Sequence, residues 1–134
     1  HDAALLATVA VQTSSELAVS YRVRPPAWLH NIFVNSGWRS RGLCYHWAED
    51  LQARLARENF STLEVHRVIA RRGTRREHSG IAVTARGQDI AHGVVLDAWR
   101  ECGRLVWAPL AADKYPWVKL TEDDPARGTL NSEP

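Results

Sequence analysis

Three residues of this sequence have the types and the order needed for nucleophilic catalysis by a cysteine. Cys44 follows the turn-forming residues Arg41 and Gly42 and begins an amphipathic segment, so we expect it at a helix N-terminus. Unpaired N–H groups and a partial positive charge at such a position favour thiolate over thiol. His78 begins a predicted strand and Asp97 ends another. Nucleophile, base and orienting carboxylate therefore follow one another along the chain.

The elements that would position these residues begin with three predicted helices. Apolar residues recur at near-helical spacing over 2–21, 27–36 and 44–59, and Pro25-Pro26 separates the first two segments. The second helix carries four large apolar residues on one side, among them Trp28. We expect Trp28 and Trp47 to belong to the hydrophobic core.

The apolar period changes to two after residue 62, which predicts strands over 63–70, 79–86, 94–99 and 104–109. Helices followed by an antiparallel meander indicate an α+β fold, in which the helix bearing Cys44 packs centrally on a sheet of about four strands. Residues 1–117 form one predicted domain. After Trp117 the composition changes to Thr, Glu, Asp, Pro, Gly and Ser, which predicts a loosely ordered C-terminal tail over 118–134.

Composition excludes several classes of function. A chain of 134 residues with 45% apolar residues is large enough for one core without disulfides, and a net charge of +2 does not indicate a nucleic-acid partner. We find no apolar stretch of the ~18 residues that a membrane span needs. The chain starts at His1 and contains no Met, so we expect a processed product or a fragment, with a signal or lipid-anchor segment upstream as one reading.

The two cysteines leave other interpretations of Cys44 open. Cys44 and Cys102 could form a structural disulfide, which would exclude a nucleophilic role. A metal site built from Cys44, His78 and another histidine is a further alternative, although His46 would point away from Cys44 on a helix. We predict neither a metal nor a cofactor.

Three short motifs resemble, in order, the papain-like and transglutaminase-like cysteine enzymes. These motifs are Gly-Leu-Cys at 42–44, His-Ser-Gly-Ile at 78–81 and Asp-Ala-Trp at 97–99. The resemblance implies a central helix opened by the nucleophile, a base at the start of a strand and an orienting residue on the next strand. It also implies amide-bond chemistry on a peptide or protein substrate by a peptidase, amidase or acyl transferase.

A second resemblance covers about residues 20–117. It is to uncharacterised bacterial lipoproteins that share a helical lead, Arg-Gly-Leu-Cys-Tyr at 41–45, a Glu-His strand and Asp-Lys-Tyr-Pro-Trp at 113–117. This resemblance implies the bacterial cell envelope or periplasm and a lipid anchor upstream of His1. It brings no known activity.

The chain departs from the enzyme pattern where an oxyanion donor is expected. Trp38 stands where papain-like enzymes carry Gln, and Tyr45 where transglutaminases carry Trp. The backbone N–H of Cys44 is one candidate donor, with Asn35 or the Trp38 indole as the second. Trp38 and Trp99 are also placed to line a cleft or to shield the histidine from water.

Four arginines at 71, 72, 75 and 76 form a predicted hairpin tip shortly before His78. If this tip leans over the site, it would attract acidic or carboxylate-bearing substrates. The sequence supports two functions of different classes. The first is cysteine-dependent amide chemistry through Cys44, His78 and Asp97, and the second is a catalytically inactive binding module of the same fold.

Overall fold

Three helices precede a five-stranded antiparallel sheet in the computed structural model, which describes residues 1–121. This confirms the predicted α+β class. The elements are α1 (Asp2–Ser20), α2 (Ala27–Asn35), α3 (Cys44–Ala56), β1 (Leu63–Ala70), β2 (His78–Ala85), β3 (Val94–Asp97), β4 (Val106–Pro109) and β5 (Trp117–Lys119). Short 3-10 helices at Ile90–His92 and Leu110–Ala112 lie in the connections before β3 and β5.

The register of the sheet leaves the start of β2 unpaired on one side. The strand order is β4-β3-β2-β1-β5, and β2 pairs with β1 over its whole length, from Ala85 to His78. The ladder between β2 and β3 covers only Ile81 to Val83 on the β2 side. His78 and the two residues after it therefore extend beyond the β3 ladder, at an end of the sheet that another element can reach.

The fifth strand was not predicted. Trp117–Lys119 pairs with β1, and the backbone N–H of Leu120 donates to the Arg67 carbonyl at 2.9 Å. The predicted tail over 118–134 therefore begins inside a strand. A three-residue strand is too short to show an alternating pattern, which explains the error. Residues 122–134 of that tail lie outside the described residues.

The main core lies between the helices and one face of the sheet. Trp47 is 1% exposed, as predicted, and its ring meets Tyr21 edge to face with centroids 4.7 Å apart. Ile81 and Leu96 join it from β2 and β3. Since neighbouring strand residues point to opposite faces, Ala82 and Val95 belong to a smaller cluster on the other face.

The apolar side of α2 does not enter this core. Trp28 is 62% exposed and Ile32 is 52% exposed, so the prediction that Trp28 belongs to the core is wrong. The one buried residue of α2 is His30, and its Nε2 lies 2.9 Å from the carbonyl oxygen of Arg41. A polar anchor holds this helix, because the inner position of the nine-residue segment carries an imidazole and not an apolar group.

By length and composition alone, α1 could cross a membrane, although no such segment was predicted from the sequence. The helix has 19 residues with a mean hydropathy of 1.2, and 28% of the tested window is buried inside the fold. In this structure, Leu6 and Val9 contribute to the main core and Ser14 Oγ donates to the Gly103 carbonyl at 2.7 Å. Core helices of soluble proteins can be equally long and apolar, so the hydropathy of α1 does not by itself indicate a membrane span.

Candidate active site

Cys44 is the first residue of α3 and is 2% exposed. Leu43 precedes it in an extended conformation, and the backbone N–H groups of Gly42 and Leu43 both donate to His46 Nδ1 at 3.1 Å. These bonds use N–H groups that a helix start would otherwise leave without a partner. His46 thus caps the helix and fixes the turn that presents the thiol.

Nδ1 of His46 must carry no proton in order to accept these two bonds. Burial lowers its pKa, the Arg41 charge lowers it further, and together they bring the pKa to about 4 although Asp50 acts in the opposite sense. Arg41 is itself held by Asp50, through bonds of 3.1 and 3.0 Å. The cap is therefore present at neutral pH.

Gly42 is required where it stands. Its φ is +130°, and a Cβ built at this position would lie 2.2 Å from His30 Nε2. The Gly42 carbonyl also accepts a bond from Trp47 Nε1 at 3.0 Å. The missing side chain lets the buried imidazole of His30 pack directly against the turn before Cys44.

The structure brings Cys44, His78 and Asp97 together. His78 Nε2 lies 2.5 Å from Asp97 Oδ2, and these residues are 3% and 2% exposed. The Cys44 side chain also interacts with the imidazole, through a hydrogen bond and through its charge. Since Asp97 occupies Nε2, Nδ1 is the ring nitrogen that remains for the thiol. The imidazole therefore interacts with both a carboxylate and a sulfur nucleophile.

Electrostatics favour a charged imidazole at this position. Burial acts to lower the pKa of His78, but the charge and hydrogen bond of Asp97, with a further contribution from Cys44, outweigh it and raise the pKa to about 9. Burial acts to raise the pKa of Asp97, and the charges of His78 and Arg100 hold it below its ordinary value. The pair is an imidazolium and a carboxylate at neutral pH.

Asp97 also ends its strand. Its Oδ1 accepts the backbone N–H groups of Trp99 and Arg100 at 3.0 and 3.1 Å, which turns the chain immediately after the carboxylate. The strand predicted over 94–99 therefore stops at Asp97. An Asp side chain that captures the N–H two residues later is a common turn device, and here it competes with strand extension.

Arg100 and Asp113 continue the charged group and were missed in the sequence analysis. Arg100 Nε donates to Asp97 Oδ2 at 3.0 Å, and its two terminal nitrogens bind Asp113 at 3.0 and 2.9 Å. Trp117 Nε1 donates to Asp113 Oδ2 at 2.7 Å. Burial acts to raise the pKa of Asp113, but its bonds to Arg100 and Trp117 bring it to about 2.

Three aromatic rings surround the imidazole of His78. Their centroids lie 4.9 Å away for Trp99, 4.6 Å for Tyr115 and 5.3 Å for Trp117. Trp99 Nε1 donates to Asn31 Oδ1 at 3.0 Å, which connects this aromatic wall to α2. Trp99 was predicted from the sequence to occupy such a position, whereas Tyr115, Trp117 and Asn31 were not.

The two candidate oxyanion side chains lie at the end of α2 and in the turn that follows it. Trp38 is 71% exposed and its ring stacks on Phe33, with centroids 5.7 Å apart. The structure does not bring it into the aromatic wall. Asn35 is the last residue of α2, and its side-chain oxygen is buried. The residue of α2 that bonds the wall is Asn31.

One arginine of the predicted tip leans over the site. Arg71 has its guanidinium carbon 5.2 Å from the centroid of the Tyr115 ring, and Arg100 lies 4.8 Å from the same ring. The other arginines of the tip, at 72, 75 and 76, are exposed. Tyr115 therefore lies among positive charges where it packs on His78.

The alternatives for Cys44 can be compared with the geometry. Cys44 and Cys102 are both free thiols, so the disulfide alternative is wrong for this structure. Within residues 1–121, no three His, Cys, Asp or Glu side chains form a group that could hold a metal ion. Two cavities in this part of the chain, of about 820 and 480 Å³, are lined by other residues.

Comparison with known proteins adds no assignment: no family model, no curated protein and no solved structure matches this chain. The site is therefore interpreted from its own geometry. Some of the missed residues had a signal in the sequence. Arg100 lies three residues after Asp97, within reach of the same turn, and Asp113, Tyr115 and Trp117 belong to the closing motif at 113–117.

Substituting Gly42 tests how tightly the turn before Cys44 is packed. We expect Gly42→Ala to destabilise the fold by about 2–4 kcal/mol, because it adds both backbone strain and a clash with His30. Gly87→Ala is the matched control, since its φ is +79° and nothing lies within 4 Å of the added Cβ, so only strain of about 1 kcal/mol is expected. Urea unfolding of both variants measures the difference.

The same clash predicts a coupling. In a Gly42→Ala, His30→Ala double variant, the added methyl group has room, so the two losses of stability should sum to more than the loss in the double variant. Strictly additive losses would contradict the proposed packing of His30 on Gly42.

The neutral cap of His46 predicts an acid-sensitive stability. In the unfolded chain a histidine binds its proton near pH 6.5, whereas folded His46 does so near pH 4. The unfolded state therefore gains protons first, and the free energy of unfolding should fall as the pH drops from 6.5 to 4. We expect His46→Gln, which keeps an acceptor that does not titrate, to show a flatter profile in urea unfolding over this range. Parallel profiles for the two proteins would contradict this role.

Proposed function

We propose that this protein carries out cysteine-dependent amide-bond chemistry, as a peptidase, amidase or acyl transferase. The observation that carries the proposal is the placement of the His78 imidazole between Asp97, at 2.5 Å, and the thiol of Cys44. A base held by a carboxylate on one ring nitrogen and facing a nucleophile on the other is the arrangement that covalent catalysis by cysteine needs.

The reaction would follow from the protonation states of this group. The Cys44 thiolate attacks the carbonyl carbon of an amide, and the C–S bond forms as the carbonyl π pair moves to oxygen. The His78 imidazolium then gives its proton to the leaving nitrogen, the C–N bond breaks and an acyl thioester remains. Water or an amine, deprotonated by the now neutral His78, attacks the thioester, and expulsion of the sulfur restores the thiolate and imidazolium.

The N-terminus of α3 is our candidate for stabilising the oxyanion. Helix α3 points its first turn at the position of Cys44, so backbone N–H groups and the positive end of the helix dipole would face the developing negative charge. We keep the Cys44 N–H as the first donor. Of the two predicted side chains, Trp38 is largely exposed, so we keep Asn35, whose amide nitrogen can donate, as the second candidate.

The burial of the nucleophile favours a second candidate, a binding module without turnover. Cys44, His78 and Asp97 are each at most 3% exposed, so a substrate must displace covering side chains before it meets the sulfur. A site closed in this way could persist without catalysis. Under this alternative, Cys44→Ser would leave binding of a partner unchanged, and neither protein would convert any member of an amide library.

The substrate class and location that we propose rest on sequence resemblance. A peptide or protein amide fits the papain-like and transglutaminase-like motifs, and the envelope or periplasm of a bacterium fits the lipoprotein resemblance. The choice between hydrolysis and acyl transfer depends on whether water or an amine reaches the thioester.

Selective alkylation tests the ion pair directly. We expect iodoacetamide at pH 6 to modify Cys44 at least about tenfold faster than Cys102, although Cys44 is more buried, because the imidazolium stabilises the reactive thiolate. Burial and the Glu101 charge raise the pKa of Cys102, which makes it a slow internal reference. Peptide mass mapping distinguishes the two sites.

His78→Gln should remove the advantage of Cys44 and leave the rate at Cys102 unchanged. Equal rates at the two cysteines of the wild type below pH 7 would remove the basis of the enzyme proposal.

The titration of His78 gives a second test. Because its pKa is raised to about 9, the ring should keep its proton from pH 6.5 up to this value and lose it only above. Asp97→Asn removes the charge that holds the proton, so the midpoint should fall by at least about one pH unit. Nitrogen-15 NMR of the histidine rings measures the midpoint in the wild type and in the variant. A wild-type midpoint near 6.5 would show that no stable imidazolium exists at this site.

A further inference from the structure

Arg100 and His78 share one acceptor. Both donate to Oδ2 of Asp97, at 3.0 Å from Arg100 Nε and 2.5 Å from His78 Nε2, while Oδ1 receives two backbone N–H groups. The side chain of Asp97 is 1% exposed and that of Arg100 is 14% exposed, so water screens this contact only weakly. One oxygen of the carboxylate that orients the imidazole therefore interacts with two cations, the imidazolium of His78 and the guanidinium of Arg100.

We propose that Arg100 is a positioning residue that limits how tightly Asp97 holds the proton of His78. The inference rests on the proposed function, since it concerns the ability of the imidazole to give its proton to a leaving group. A carboxylate that interacted with the imidazolium alone would stabilise it more strongly, and an acid works best when its proton affinity is matched to the working pH. Arg100 competes for the same oxygen and so weakens that hold.

Asp113 sets the strength of this competition. It binds both terminal nitrogens of Arg100 at 3.0 and 2.9 Å, and its own position is fixed by Trp117 Nε1 at 2.7 Å. The guanidinium charge is thus shared between Asp97 and Asp113. If Asp113 lost its charge, the positive charge of Arg100 would act less opposed on Asp97 and His78.

The other groups around His78 keep fixed charges near neutral pH. The arginines Arg71 and Arg100 are cations at this pH. The pKa values of Asp97 and Asp113 are lowered, so both are carboxylates. Burial raises the pKa of Tyr115, so its hydroxyl stays neutral. Other titratable neighbours are the Cys44 thiol of α3, the ammonium group of Lys114, 5.4 Å from the Tyr115 ring centroid, and the carboxyl of Glu77, which accepts from the Gly73 N–H.

Two single substitutions should move the His78 titration in opposite directions. Arg100→Gln removes the competing cation, so the pH midpoint of the His78 ring should rise by roughly one unit. Asp113→Asn leaves the Arg100 charge less opposed, so the midpoint should fall by a smaller amount. Nitrogen-15 NMR of the full chain measures both midpoints. Arg54→Gln is the matched control, because Arg54 pairs with Glu58 at 2.7 Å near the end of α3 and should leave the midpoint unchanged.

Opposite shifts separate this role from a merely structural one. Loosening of the turn after Asp97 would move both variants in the same direction, toward the value of an unperturbed histidine. Arg100→Lys keeps a cation near Asp97 but cannot bind Asp113 with two parallel bonds, so we expect its midpoint to return most of the way to the wild-type value. If Arg100→Gln does not fold, Arg100→Lys and Asp113→Asn still carry the test: the proposal expects the midpoint of Arg100→Lys near the wild-type value and that of Asp113→Asn below it, whereas loosening of the turn would lower both.

The result that would overturn the inference is an unchanged midpoint in Arg100→Gln, or shifts of equal sign in Arg100→Gln and Asp113→Asn. Failure of the proposed function looks different, because it gives slow alkylation of wild-type Cys44 whatever the titration of His78 does. Fast alkylation of Cys44 without opposite shifts would retain the proposed function and remove the role of Arg100.

Discussion

The buried hydrogen bond between His78 and Asp97 is the contact on which this end of the molecule depends. Two charged groups at most 3% exposed lose most of their hydration, and the penalty is several kcal/mol for each ion unless partners replace the water. Asp97 gains four donors, and Arg100 requires a second carboxylate, Asp113. The turn after β3 and the connection before β5 both converge on β2 to provide these partners.

Three buried histidines near this site behave differently because their hydrogen-bond partners differ. His46 receives two backbone N–H groups on one nitrogen, so that nitrogen must carry no proton. His30 accepts from a backbone N–H through Nδ1, which leaves Nε2 to donate to the Arg41 carbonyl. His78 faces a carboxylate, so it must donate. Burial is the main cause that lowers the pKa of His46, whereas at His78 the carboxylate of Asp97 outweighs burial and raises the pKa.

Sequence patterns were sufficient to predict the elements that depend on local contacts or on a periodic spacing of apolar residues. The start of α3 follows from the Gly42 turn and the apolar spacing after it, and β1 follows from its alternation. The features that were not predicted depend on contacts between segments that are distant in the sequence. Trp28 has core-like spacing, but its helix is anchored by His30, and β5 becomes a strand only because β1 offers an open edge. Arg100 and Asp113 are 13 residues apart, and only the fold shows that they meet.

Burying charged side chains costs hydration free energy, so the presence of this charged group needs an explanation. Buried ion pairs contribute little to stability on balance, and apolar residues of similar volume in their place are often neutral or stabilising by about 1–4 kcal/mol. A cluster of Asp97, Arg100 and Asp113 behind His78 and Cys44 is therefore a poor solution if stability is its only purpose. The aromatic wall of Trp99, Tyr115 and Trp117 already supplies apolar surface that could fill this end of the sheet. Control of the imidazole proton, which apolar packing cannot provide, is the role that we propose for these charges.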